Sequence, residues 1–220
     1  MMHLIHYIKE YLFPPKCILC GMLLTGEETD LCRRCRAETD EYPQEKLKLQ
    51  FIDSTAAVWY YKGNVRKALH RYKFSRARFL AEPFAKLMAM KILNAELHDV
   101  DLITWVPVSS IRKLFRGYDQ DRLLAEVISR ELNIPCREVL KKIRHNRPQS
   151  GIAGYARRRA NVLGVYQPLA PGEIAGKRIL LVDDILTTGA TASECARVLL
   201  TAGAEEVYCA VVASAHHNHP

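Results

Sequence analysis

The sequence predicts an α/β protein, a parallel sheet flanked by helices, with a small N-terminal zinc-ribbon-like module. Three observations predict it. Segments of strand and helix character alternate between residues 54 and 212. The stretch 179–191, ILLVDDILTTGAT, passes from four apolar residues through two acids and a hydroxyl-rich turn into helical periodicity. Two Cys-x-x-Cys pairs stand close together near the start. Alternating strands and helices argue for a parallel sheet covered on both faces, with ligands beyond the carboxyl ends of its strands. A chain of 220 residues that is 49% hydrophobic can bury a full core.

Taken in order, the start HLIHYIKEYLF has apolar residues at 4, 5, 8 and 12, the spacing of a short packing helix. Its His, Lys and Glu interrupt any signal-peptide core, and no run is long enough to span a bilayer. A cytoplasmic protein without membrane insertion is expected. Next come Cys17-x-x-Cys20 and Cys32-x-x-Cys35, separated by eleven residues. Two such pairs can supply a closed tetrahedral site for structural Zn²⁺, which would largely fold so small a segment. Redox thiols or disulfides are the alternatives; a disulfide framework suits secreted proteins. Residues 1–45 are assigned to the N-terminal helix and four-cysteine zinc module, and 50–215 to the main domain. Cys136, Cys195 and Cys209 stand in apolar or helical contexts and read as core.

In the main domain, 54–61 (STAAVWYY) reads as a strand, and 64–73 and 79–93 as helices, with Pro83 near the second start. Residues 101–108 (DLITWVPV) read as a strand ending at Pro107. Residues 120–132 form an amphipathic helix with Leu123, Leu124, Val127, Ile128 and Leu132 inward. Strands are expected at 179–182 and 207–212. The helix after the turn places Ala192, Cys195, Ala196, Leu199 and Leu200 on one face. His216, His217 and His219 could ligate metal, but read more simply as a frayed or appended end.

The chemistry concentrates at Asp183 and Asp184 and the turn that follows. A helix N-terminus offers unpaired N–H groups and partial positive charge, a natural seat for phosphate. Thr187, Thr188 and Thr191 add hydroxyls, Gly189 permits close backbone approach, and Ala190 lies in the same turn. Adjacent carboxylates suit the vicinal hydroxyls of a ribose. Phosphate and ribose together point to a ribose 5-phosphate ligand.

VDDILTTGAT resembles the phosphoribosyl pyrophosphate (PRPP) signature of type I phosphoribosyltransferases. The resemblance implies that fold for residues 50–215. It implies that Asp183 and Asp184 hold the ribose hydroxyls, with Mg²⁺ accompanying PRPP, and that residues 187–191 hold the 5-phosphate. WVPVSSIRKLFRGYDQDRLLAE (105–126), RPQSGIAGYARRRANVLGVY (147–166) and the entry FPPKCILCG are similar to the ComF competence-protein family and its GntX-like relatives. Asp119 stands where that pattern usually has Asn, which keeps a helix cap but adds negative charge. Arg116 and Gly117, with Arg158 and Arg159 in a region resembling the family's mobile loop, are the pyrophosphate candidates. The family is tied to DNA uptake in natural transformation. Its partners are implied to be PRPP, single-stranded DNA and a DNA-processing protein such as a competence helicase, and the superfamily suggests a homodimer.

The net charge of +8 is unevenly spread. Residues 62–78 hold Lys62, Arg66, Lys67, Arg71, Lys73, Arg76 and Arg78 and no acid. Arg66, Lys67, Arg71, Lys73 and Arg76 are the candidate nucleic-acid face, with Tyr60, Tyr61, Tyr72 and Phe74 as stacking rings. Binding of an anionic sugar diphosphate, or a merely solvated helix face, accounts for the same bases. Nothing in the sequence identifies a nucleobase pocket. Three readings follow: a DNA-processing factor that keeps a PRPP-binding fold, a transferase with an unidentified acceptor, and a PRPP-sensing regulator.

Overall fold

A computed structural model describes residues 14–43, 49–144 and 161–215. The expected helix at 1–13 and the terminal histidines lie outside the described residues. Four strands form one parallel sheet in the order β1 (Ser54–Tyr60), β6 (Glu206–Ser214), β5 (Arg178–Leu186), β2 (Leu102–Trp105). A separate antiparallel ribbon pairs β3 (Leu140–Lys142) with β4 (Tyr166–Pro168). Helices α1 (Arg33–Glu38), α2 (Gly63–Phe74), α3 (Ala81–Asn94), α4 (Ser110–Arg116), α5 (Gln120–Leu132), α6 (Pro171–Ile174) and α7 (Ala190–Thr201) complete the described elements.

The central strands are buried on both faces, so they read as continuous apolar runs rather than as alternation. Ile179, Leu180, Leu181 and Val182 of β5 are fully buried between β2 and β6. One face of the sheet packs Leu180 and Val182 against Leu69 and Tyr72 of α2, Phe84 and Met88 of α3, and Leu124 and Ile128 of α5. The other packs Leu181 against Cys195 and Leu199 of α7 and Leu140 and Tyr166 of the ribbon. Cys195 and Cys209 are core residues as expected, whereas Cys136 is only partly buried.

The α5 span agrees with the sequence reading; its Asp119 caps the helix by accepting from the Arg122 N–H at 3.3 Å. The helix expected from 79 opens with a 3-10 turn at Arg78–Leu80. The expected 101–108 strand is confined to Leu102–Trp105. The substantive correction is at β5. The acid pair does not stand at the tip of a strand ending at Val182. The strand continues to Leu186, with Asp183 beside Val211 and Ile185 beside Ala213 of β6. Ile185 and Leu186 are good strand residues, no glycine or proline interrupts them, and Leu186 is buried. The turn is therefore only Thr187 to Gly189. The β3–β4 ribbon and α4 have no counterpart in the expected elements.

The four-cysteine segment is built into the same core. Tyr42 donates its N–H to the Val58 carbonyl at 2.9 Å, laying residues 41–42 along the edge of β1. Cys17, Cys32 and Cys35 share one apolar cluster with Leu69 and Phe84.

Candidate functional site: a carboxylate cluster beside a phosphate-sized turn

β5 delivers Asp183 and Asp184, and the first turn of α5 delivers Asp121. One carboxylate oxygen from each lies within 4.8 Å of the others. All three residues are buried. Lys73, from the last turn of α2, meets Asp184 Oδ1 at 2.8 Å. Asp183 Oδ1 accepts the Asp184 N–H at 2.8 Å. Burial, and then the neighbouring Asp184 charge, pushes the Asp183 carboxyl up to about 7. Burial, with the charges of Asp184 and Asp183, drives Asp121 well above the carboxylate range. Burial opposes the Lys73 charge, but the three carboxylates outweigh it and raise its pKa. With Lys73 paired to Asp184, burial keeps protons on Asp121 and Asp183, and a bound cation would displace them. Asp121 Oδ1 and Asp184 Oδ2 are both buried without a hydrogen-bond partner. Such a donor set suits a hard divalent cation such as Mg²⁺.

The turn lies directly after. Gly189 takes φ +72° as the N-cap of α7, a conformation an L side chain resists. A Cβ there would also meet Leu49 at 3.0 Å. Gly189 has no side chain to cap the helix, and Thr188 Oγ1 is buried without a partner. A helix N-terminus of this kind offers backbone N–H donors and partial positive charge to an anion. Thr187 is exposed, Thr191 half-buried, and Ala190 is the first helical residue.

Of the pyrophosphate candidates, Arg116 lies with its guanidinium over the Phe74 ring at 5.1 Å. Gly117 ends α4 in the left-handed conformation, φ +79°. Arg158 and Arg159 lie outside the described residues. The extra charge of Asp119 is met by Lys113 at 2.8 Å. Of the nucleic-acid candidates, Arg66, Lys67 and Arg76 are exposed. Lys73 is turned into the carboxylate cluster. Arg71 donates to the carbonyls of Ile18 and Leu19, both at 3.0 Å, and so clamps the cysteine segment to α2. The basic run is therefore not one face.

Sequence reasoning passes over Asp121, Lys142 and Arg112. Asp121 immediately follows the segment from Arg116 to Gln120, but an acid in a first helical turn is ordinarily just a dipole partner. Lys142, on β3, is pushed down to about 8 by burial and by Arg112, against the pull of Cys195 and Asp183. It supplies a second cation on the Asp183 side of the cluster.

The four cysteines form a second centre. Their sulfurs all lie within 4.8 Å of one another, and Cys20 Sγ is 3.7 Å from Cys32 Sγ. Zinc–sulfur bonds of about 2.3 Å in a tetrahedron give sulfur–sulfur edges of about 3.8 Å. Cys32 caps α1 by accepting the Cys35 N–H, and Gly21 turns the first knuckle back with its N–H on the Cys17 carbonyl at 2.8 Å. Asn64 of α2 donates to Cys35 Sγ at 3.6 Å. Burial presses the Cys17 thiol upward, yet the backbone amides of Cys20, Cys32 and Leu19 bring it down to about 7, favouring thiolate. The segment is a structural zinc site.

Comparison with known proteins agrees with both centres. A family profile described as phosphoribosyl transferase domain matches residues 122–219, and one described as double zinc ribbon domain matches 8–47. Competence protein F of Haemophilus influenzae is 26% identical over 214 residues, covering 87% of this chain and 93% of that protein. The DNA utilization protein YhgH of Escherichia coli K12 is 29% identical over 202 residues, covering 88% and 82%. Competence protein ComFC of Streptococcus pneumoniae is 27% identical over 225 residues, covering 87% and 96%.

Proposed function

From the premise that this chain belongs to the ComF family, a type I phosphoribosyltransferase fold behind an N-terminal zinc ribbon, we propose that it binds PRPP and single-stranded DNA and acts in DNA uptake. The observation that carries the PRPP half is the buried acid pair near the carboxyl end of β5, two residues before a turn whose Thr188 hydroxyl is buried without a hydrogen-bond partner. In this reading Asp183 and Asp184 hold the ribose hydroxyls. The 187–191 turn, the N-terminus of α7 and Thr188 Oγ1 hold the 5-phosphate. Asp121, Asp183 and Asp184 would hold Mg²⁺, which would supply charge neutralisation for the pyrophosphate. Lys73 is the counter-ion of Asp184. The DNA half draws on the names of the relatives, two competence proteins and one DNA utilization protein, and on the excess of basic charge.

A second reading, transfer of ribose 5-phosphate from PRPP to an acceptor, is favoured by Lys142, whose charge is felt by both Asp183 and Arg112. Cations there would stabilise the leaving pyrophosphate while C1 of the ribose gains oxocarbenium character.

Calorimetric titration of PRPP with Mg²⁺ tests the first reading. Wild-type protein is expected to bind, and Asp184→Asn to weaken binding at least tenfold without unfolding. Equal affinity in the two proteins would remove the acid pair from the site. Release of pyrophosphate in the presence of single-stranded DNA or free nucleobases would establish the second.

A further inference from the structure

The surface beside the carboxylate cluster is unusually apolar for so cationic a region. Helix α4 has no buried residue at all. Leu114 and Phe115 on it are 83% and 81% exposed. Phe74, the last residue of α2, and Phe79 just beyond are 60% and 74% exposed. The two segments are brought together: Arg116 of α4 reaches across to the Phe74 ring at 5.1 Å, and the Arg78 and Arg116 charges both bear on the Tyr118 phenol. Tyr118 in turn donates to the Tyr72 carbonyl. Residues 74–79 and 110–116 include Arg76, Arg78, Arg112, Lys113 and Arg116 and not one acid.

Large apolar groups clustered on an exposed surface mark a binding site. The occupant is indicated by what lies among the rings. Lys113 is engaged by Asp119, and the four arginines favour a polyanion. Separately exposed phenylalanines and an arginine–aromatic pair are what successive unpaired bases stack upon. The patch also has a direction. Phe74 directly follows Lys73, the partner of Asp184, so one end of the platform lies beside the carboxylate cluster.

We propose that Phe74, Phe79 and Phe115, with Arg76, Arg78 and Arg116, form a stacking platform for single-stranded nucleic acid that leads its end to the rim of the Asp121–Asp183–Asp184 cluster. This rests on the DNA half of the proposed function. It moves the contact surface away from Arg71 and Lys73, which are engaged by the zinc ribbon and by Asp184.

The test is fluorescence anisotropy of the full, zinc-loaded chain with a labelled oligothymidylate and with a duplex of matched length, over a range of salt. Phe115→Ala is expected to weaken oligothymidylate binding roughly fivefold or more while leaving the salt slope unchanged, since stacking releases no counterions. Phe115→Trp is expected to restore the affinity. Arg76→Ala with Arg78→Ala is expected to lower the slope of log affinity against log salt by roughly 1 to 1.5, at about 0.7 per phosphate. Duplex is expected to bind more weakly than the single strand, because its bases present no free faces. A Phe115→Ala protein with wild-type melting, zinc content and oligothymidylate affinity would overturn the platform and assign the apolar face to a protein partner, leaving DNA binding elsewhere intact. Absence of oligothymidylate binding by the wild type would sink the DNA reading together with the platform.

Discussion

Asp183 concentrates the conflict of the site in one side chain. It is buried beside another carboxylate, and its proton is held up to about 7, whereas the unfolded chain loses it near ~4. The folded state therefore binds more protons than the unfolded state between those values, and stability falls as pH rises through that window. The contribution is fully present below about 4 and is lost by about 7. Asp183→Asn removes the titration yet keeps an oxygen to accept the Asp184 N–H. Urea unfolding of the ligand-free protein should show the variant gaining on wild type by about 1 kcal/mol or more between about pH 4.5 and 8. A difference that does not change with pH would mean that Asp183 ionises freely. The acids at 183 and 184 are legible as a site because they adjoin the turn. Asp121 is not, because its role depends on an approach between α5 and β5 that no local pattern encodes.

Among the elements, α2 has a divided task. Residues two apart on a helix point about 200° from one another, so Arg71 and Lys73 cannot share a face. Arg71 holds the first cysteine knuckle by its carbonyls, Asn64 touches Cys35, and Lys73 neutralises Asp184. One helix thus spans the zinc ribbon and the carboxylate cluster. Arg71→Ala removes charge-assisted hydrogen bonds to two carbonyls and should cost roughly 1–3 kcal/mol. Its zinc content should be retained while the ribbon becomes easier to cleave by protease. Wild-type unfolding and cleavage rates would show that the ribbon is held by its apolar contacts alone. β5 makes a complementary point. Its apolar run is evident in the sequence, but its end is not, because adjacent acids look like a strand's solvated tip until the sheet and α2 are seen to cover them.

For the whole molecule, the zinc ribbon is part of the main core rather than an appendage, since its cysteines pack with Leu69 and Phe84. One zinc per chain is expected by elemental analysis, and its removal by a chelator should lower the melting temperature of the whole chain rather than melt the ribbon alone. A metal-free chain that melts unchanged would refute this. No helix among the described residues is long and apolar enough to cross a membrane. The sequence by itself determined the zinc module, the parallel α/β class, and the acid pair with its turn, because in each the chemistry is contiguous: ligand spacing, strand burial and helix start are set within a few residues. Tertiary structure alone decided which lysine answers Asp184, that Asp121 completes the cluster, and which basic residues are turned inward. Those outcomes follow from the need of buried charges for nearby counter-charges, and distant segments become neighbours only when the sheet and its helices pack.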